Sequence, residues 1–317
     1  MGLNGAMTLE TVLLAAPRGW CAGVDRAVEI VERALEMHGP PVYVRKQIVH
    51  NRHVVEDLER RGAVFVEEVD EVPPGSVTVL SAHGSAPVVY EMARERGLEL
   101  IDATCPLVTK VHVEAIRFRR RDRTILLIGH AGHEEVEGTM GEAPERTLLV
   151  QDVSDAETVE VPNPDNVSYL TQTTLSVDET KDIIDTLHRR FPNIKGPTKA
   201  DICYATTNRQ AAVKVLAHRA PLVLVIGAPN SSNSLRMVEV ARQEGAASYL
   251  IEDETQIDEA WLDGVSVMGL SSSASAPEWL VERVLAHLKA FGPARVEEVT
   301  VTSEDVRFPL PREVVAG

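Results

Sequence analysis

The chain has 317 residues, is 44% hydrophobic and 25% charged, and carries a formal charge of −16. That length exceeds what one hydrophobic core usually serves, so two or three compact units are expected. No apolar run approaches the roughly 20 residues of a membrane helix, and the acidic far field repels phosphate backbones and anionic lipid, so neither a nucleic-acid nor a membrane partner is expected.

The start has neither a basic segment nor an apolar stretch, and Ala6 stands where a myristoylation signal would carry a hydroxyl, so the expected address is the cytoplasm. Three cysteines, Cys21, Cys105 and Cys203, are too few and too scattered for a disulfide framework. Taken singly, such a residue reads as an inert buried hydrophobe. The context that the three share argues otherwise.

A strand at Thr11 to Ala15 runs through Pro17-Arg18-Gly19-Trp20 into Cys21. Val24, Ala27, Val28, Val31 and Leu35 then give one apolar helical face that ends near Gly39-Pro40-Pro41. Short strands follow at Val42 to Val44, Ala63 to Val66 and Val77 to Leu80; the first leads to His50-Asn51-Arg52-His53, the last to Ser81-Ala82-His83-Gly84.

From Cys105 the order returns, with Pro106 suited to a first helical position and Val108, Val111, Ala115 and Phe118 on the apolar face. The strand Thr124 to Ile128 empties into a polar loop, Gly129-His130-Ala131-Gly132-His133-Glu134-Glu135. A later strand at Val167 to Leu170 ends in Thr171-Gln172-Thr173-Thr174. The basic run Arg117 to Arg123, between the helix that follows Cys105 and the strand at Thr124, reads first as a solvated helix end.

From Cys203 a third helix leads to the strand Leu222 to Ile226 and Asn230-Ser231-Ser232-Asn233-Ser234; a strand at Val265 to Leu270 ends in Ser271-Ser272-Ser273-Ala274-Ser275. This unit lacks its last strand, which the amino terminus supplies. The reading is thus an α/β protein of three similar units with small, mostly parallel sheets in a pseudo-threefold arrangement: residues 22–104, 105–200 and 201–290, the last completed by 8–21, with a carboxyl-terminal tail at 291–317.

In parallel sheets ligands bind beyond the carboxyl ends of strands, where all these polar loops fall. Each cysteine sits at a strand end and a helix start, where the helix dipole favours an anion. Converging thiolates suit a metal, either zinc with His133 or water as a fourth ligand or an iron-sulfur cluster with one open iron. Around it stand His50, His83, His133, Thr173, Thr174, Ser231, Ser232, Asn233 and Ser275, a donor set able to hold a phosphate, with histidines able to add charge. A proton donor is expected among Glu134, Glu135 and Glu137.

The strings Pro17-Arg18-Gly19-Trp20-Cys21-Ala22-Gly23-Val24-Asp25-Arg26-Ala27, Val49-His50-Asn51, Ser81-Ala82-His83-Gly84 and Asp102-Ala103-Thr104-Cys105-Pro106 resemble the 4-hydroxy-3-methylbut-2-enyl diphosphate reductase (IspH/LytB) family. So do Gly129 to His133, Glu135-Val136-Glu137-Gly138-Thr139, Thr171 to Ser176, Cys203 to Gln210 and Asn230 to Ser234, and the likeness runs from about Thr11 to Leu288. The resemblance implies reductive removal of the 4-hydroxyl of 4-hydroxy-3-methylbut-2-enyl diphosphate to give isopentenyl and dimethylallyl diphosphate, the last step of the non-mevalonate isoprenoid pathway. It implies a 4Fe-4S cluster on Cys21, Cys105 and Cys203 at the centre of the three units, with Glu135 as proton donor. It also implies diphosphate binding by His50, His83, Ser231, Ser232, Asn233 and Ser275, with His133 and Thr173 near the hydroxyl. No Gly-x-Gly-x-x-Gly fingerprint is present, so electrons are expected from an external carrier, ferredoxin or flavodoxin, with Arg117 to Arg123 as its docking site.

Two rivals stand beside this reading: a non-enzymatic iron-sulfur sensor or phosphometabolite-binding protein, and a zinc hydrolase. The chain departs from the family at Ser271-Ser272-Ser273, where Thr-x-Gly is usual; Ser273 is therefore expected to be strained at a positive φ. The segment after about Pro293 lies outside the likeness and receives no function from it.

Overall fold

The computed structural model describes residues 9–315; residue 8, where the expected amino-terminal strand begins, lies outside them. The chain opens with β1 (Thr11–Ala16), α1 (Ala22–His38), β2 (Val42–Arg45), α2 (Arg52–Arg60), β3 (Ala63–Val66), β4 (Val77–Leu80), α3 (Pro87–Glu95) and β5 (Glu99–Asp102). There follow α4 (Pro106–Arg119), β6 (Thr124–Ile128), α5 (Glu134–Gly141), β7 (Thr147–Val150), α6 (Val153–Thr158), β8 (Val167–Thr171) and α7 (Val177–Arg190). The last stretch holds α8 (Tyr204–Ala217), β9 (Leu222–Ile226), α9 (Ser232–Gln243), β10 (Ala247–Ile251), β11 (Val267–Ser272), α10 (Glu278–Leu288) and β12 (Arg295–Thr300).

The fold is α/β with three small sheets, every named strand pair being parallel. Their orders are β10-β9-β11-β1-β12, β3-β2-β4-β5 and β7-β6-β8. The first three strands follow one plan in each sheet: second, first, third in chain order. A fourth position beside the third strand is filled by β1 in the first sheet and by β5 in the second. In the third sheet only a parallel bridge between Ser168 and Lys195 stands there, closed by Tyr169 N–H to Lys195 O at 3.0 Å and Lys195 N–H to Val167 O at 3.1 Å.

The amino-terminal strand does enter the sheet of β9, β10 and β11, with Thr11 opposite Val267 and Leu14 opposite Leu270. The carboxyl-terminal segment, read from sequence as a tail, adds β12 on the other side of β1, from Arg295 opposite Thr11 to Thr300 opposite Ala16. Its strand pattern was too weak to read because only Val296 and Val299 in Arg295-Val296-Glu297-Glu298-Val299-Thr300 are apolar and, at the edge of the sheet, Val296 faces solvent. Two further helix starts, those of α5 and α9, were read as loops because Glu134-Glu135 and Ser232-Asn233-Ser234 carry no apolar periodicity.

By density of contacts the chain forms two compact units. One comprises the residues up to Cys21, His50–Arg52 and Tyr204–Val306, and holds the sheet that contains β1. Its core lies on both faces of that sheet: Val12 and Leu14 pack with Leu224, Leu270 and Leu280 on one side, Leu13 with Val223, Val225 and Leu216 on the other. The other unit comprises Ala22–Val49, His53–Cys203 and the residues from Arg307 on, and holds the other two sheets. Strands buried on both faces read as continuous apolar runs, as Leu222-Val223-Leu224-Val225-Ile226 does.

Because β1 is central and β12 is an edge, the same size of truncation has unequal cost. Leu14→Ala removes a side chain that is 5% exposed and should destabilise by about 2–5 kcal/mol. Val296→Ala, at 44% exposure, should cost no more than about 0.5 kcal/mol. Urea unfolding midpoints of the two variants check this; equal shifts would show that β1 is not a core strand.

Candidate active site

Each cysteine is held by its own backbone amide. Cys21 N–H donates to Ala274 O at 3.3 Å, Cys105 N–H to Ala82 O at 3.0 Å, and Cys203 N–H to Thr173 O at 3.0 Å. In each case the acceptor lies on the polar loop that leaves the third strand of a sheet: β11, β4 and β8 respectively. Each cysteine also directly precedes a helix, α1, α4 or α8. Cys203 differs from the sequence reading in one respect, since no strand runs into it; the Lys195 bridge takes that place, and the Thr173 bond restores the equivalent position. None of the three forms a disulfide, and all are half-buried. Thiols are the soft donors that an iron-sulfur group takes.

In the larger unit the polar loops bring His83, His133, Glu134, Glu135 and Thr173 into contact. His133 is the N-cap of α5: its Nδ1 accepts the Glu135 N–H at 3.1 Å. The proton of the neutral ring therefore sits on Nε2. Burial, and secondarily the neighbouring His83, lower His133 to about 4, so it is neutral at neutral pH. Sequence reading expected these histidines to add charge for an anion, and for His133 the desolvated position opposes that. The His83 and His133 rings meet edge to face, with centroids 6.0 Å apart.

The three candidate acids separate by environment. Glu137 is exposed. Glu134 is pushed up by burial, yet His83 Nδ1 at 3.1 Å from Oε2 and the Ser81 hydroxyl, which donates to Oε2 at 3.2 Å, outweigh burial and hold it below the usual carboxylate range. Glu135 is 3% exposed. Its Oε1 accepts the Thr173 N–H at 2.6 Å and its Oε2 the Thr173 hydroxyl at 3.0 Å. Burial dominates over those two bonds and raises its carboxyl to about 7. Adjacent residues thus become a fixed anion and a carboxylic acid that holds a proton near neutral pH. Glu134, one of three candidate acids in the sequence, and Ser81, part of the Ser81-Ala82-His83-Gly84 string, serve instead to orient His83, a role that the sequence did not indicate.

Gly84, after His83, has φ +83°, a conformation that strains any side chain, and a Cβ there would also crowd His112 Nε2 at 3.0 Å and Val108 at 3.1 Å.

In the other unit Ser231 caps α9 by accepting the Ser234 N–H at 3.3 Å. The Ser275 hydroxyl donates to His50 O at 2.9 Å, and Asn230 Nδ2 lies 3.3 Å from His50 Nδ1. His50, Ser231, Ser232, Asn233 and Ser275 are all buried. The buried Asn233 Oδ1 and the Ser271 and Ser272 hydroxyls have no hydrogen-bond partner among the described residues, the mark of a place built for a polar ligand or water. The expected strain at Ser273 is absent. Ser273 N–H donates to Ile226 O at 2.8 Å, prolonging the pairing of β11 with β9, and the non-glycine residues with positive φ among those described are Lys46 and Asp122. The serines are the end of a strand, where a glycine turn is not needed.

Fold and site together define a parallel α/β protein of threefold repeated plan with thiol-bearing loops and a buried, proton-holding carboxyl group. The model of the LytB protein family matches residues 12–289, and the chain belongs to that family. It is 60% identical over 306 residues to the 4-hydroxy-3-methylbut-2-enyl diphosphate reductase of Leifsonia xyli subsp. xyli, covering 96% of this chain and 91% of that protein. It is 58% identical over 322 residues to the protein of that name from Mycolicibacterium paratuberculosis, covering 99% and 97%. The solved E-1-hydroxy-2-methyl-but-2-enyl-4-diphosphate reductase of Plasmodium falciparum superposes with a TM-score of 0.93 at 36% identity, over 96% of this chain and 97% of that one.

A carboxyl group raised to about 7 in the native state keeps a proton that the unfolded chain releases near its ordinary value. Between those two pH values the native state binds more protons, so stability falls as pH rises. Glu135→Gln should flatten this part of the stability profile, read from denaturant midpoints at pH 4.5 to 8; an unchanged slope would mean that Glu135 titrates normally.

Proposed function

We propose that this chain is a 4-hydroxy-3-methylbut-2-enyl diphosphate reductase. The reaction cleaves the C4–O bond of the allylic diphosphate, consumes two electrons and two protons, and releases water with isopentenyl or dimethylallyl diphosphate. Family membership supports the activity, and the state of Glu135 is the observation that carries it: a leaving hydroxyl needs an acid, and this carboxyl group holds its proton near pH 7.

Cys21, Cys105 and Cys203 would hold a 4Fe-4S cluster, which when bound supplies the electrons and an open iron for the substrate hydroxyl. The remaining chemistry belongs to side chains. Glu135 donates the proton to the leaving oxygen. Thr173, bonded to both carboxyl oxygens through its N–H and hydroxyl, fixes the direction of that donation and can pass a replacement proton through its hydroxyl. His133, neutral with its proton on Nε2, offers a donor to the substrate hydroxyl without adding charge. His83 meets the diphosphate, its orientation set by Glu134. His50, Ser231, Ser232, Asn233 and Ser275 provide the remaining diphosphate contacts; the α9 amino terminus, which begins within this set, adds backbone N–H groups suited to phosphate.

Glu135→Gln tests this assignment. The anaerobically purified variant should be brown, contain iron and sulfide and bind substrate, with turnover reduced by about 10²–10⁴-fold. In the parent enzyme kcat should fall as pH rises through about 7, where Glu135 ionises. Full turnover in the variant would remove Glu135 from the mechanism. A colourless parent that carries zinc would remove the redox reading altogether.

An external one-electron carrier of the ferredoxin or flavodoxin type would supply the electrons. Within Arg117 to Arg123, Arg117 donates to Thr198, Arg119 pairs with Glu145 at 3.1 Å, and Arg123 donates to Ser168. Arg120 and Arg121 are exposed and form the docking charge. Reversing both to Glu should lower carrier-driven turnover at low salt while turnover with a small chemical reductant stays the same. Equal loss with both reductants would place the effect on the fold.

A further inference from the structure

The loop Pro17-Arg18-Gly19-Trp20 that carries Cys21 is anchored by a residue outside the family match. Gly19 takes φ +67°, and the backbone bonds that tie the loop to the end of β11 are long: Gly19 N–H to Ser272 O and Cys21 N–H to Ala274 O, both 3.3 Å. A shorter bond onto its backbone comes from Arg209 on α8, whose Nη2 donates to Gly19 O at 2.6 Å and Nε to the same oxygen at 3.2 Å. Arg209 is 0% exposed. Its Nη1 donates to Ala205 O at 3.1 Å and to both carboxylate oxygens of Glu304, at 3.1 and 3.3 Å. Asn208 Nδ2 donates to the same Glu304 at 2.9 Å.

A guanidinium without solvent contact requires a counter-charge, and removing one partner of such a pair leaves the other uncompensated. Glu304 is that partner. It stands beyond the matched residues 12–289, in the segment following β12. On the other side of the loop Arg18 pairs with Glu278 at 2.6 Å and Glu298 at 3.1 Å, both carboxylates being about half exposed, so solvent screens those pairs more than it does the buried one.

We propose that Glu304 is a positioning residue: by holding Arg209 against the Gly19 carbonyl it fixes the loop that presents Cys21. The task of Cys21 as a cluster ligand rests on the function proposed above; the effect on its loop does not. The carboxyl-terminal segment, given no role by the family likeness, thereby becomes part of the scaffold of one cysteine out of three.

The test is peptide-resolved alkylation of the full chain, stripped of metal under anaerobic conditions and treated with iodoacetamide. In Glu304→Ala, Cys21 should react about tenfold faster than in the parent, relative to Cys105 and Cys203, because the freed loop opens locally. Glu304→Asp should restore most of the protection. Glu304→Gln, which keeps the shape and loses the charge, should fall between and serves if the alanine variant does not fold. After reconstitution, iron release to a chelator should quicken in the same order. Equal acceleration at all three cysteines would show a general loosening and overturn the proposal, as would unchanged reactivity of Cys21. A parent chain that takes up no iron would defeat the cluster reading while leaving the alkylation result decisive for the loop.

Discussion

The structure depends on one hydrogen bond made three times. A cysteine amide donates to a carbonyl on the loop leaving the third strand of its sheet, at Ala274, Ala82 and Thr173. The bond is short-range in space and long-range in sequence, so it exists only after the parallel strands are paired. It links two kinds of chemistry in each repeat, since the accepting loops carry Ser275, His83 and Thr173 themselves. Moving such a loop would displace a thiol and a residue proposed to bind the ligand together, which makes the rigidity of the sheets a requirement of the proposed site.

The same arrangement explains how two neighbouring glutamates differ. Helix α5 begins at Glu134, so consecutive side chains leave its first turn in different directions. Glu134 meets His83 and Ser81 and remains an anion; Glu135 enters the interior and meets Thr173. Hydrogen bonds to Glu135 favour ionisation, but desolvation is larger, and the balance leaves a carboxyl near 7. A reductase that must protonate a leaving hydroxyl at neutral pH needs such a group, and burial supplies it.

Much of the organisation was legible in the residues. The three cysteine-led helices, the strands Ala63 to Val66, Val77 to Leu80 and Thr124 to Ile128, and the entry of the amino-terminal strand into the sheet of β9 and β11 all follow from apolar runs and turn residues. Elements without such runs were not legible: β12 is an edge with two apolar residues, and α5 and α9 start on polar residues whose burial comes from their surroundings. The strain expected at Ser273 does not arise, because β11 continues its pairing with β9 through that residue. The partnership of Glu304 with Arg209 spans 95 residues and leaves no local trace.

What the sequence determined by itself is the inventory: which residue types stand at strand ends, in which order, and therefore the family and the chemistry available to it. Periodicity and turn composition are local properties, and local properties can be read from a string. Tertiary structure alone decided which glutamate keeps its proton, which histidine stays neutral and which distant carboxylate steadies the Cys21 loop. Those outcomes depend on desolvation and on hydrogen-bond partners, and both are set by packing among residues far apart in the chain.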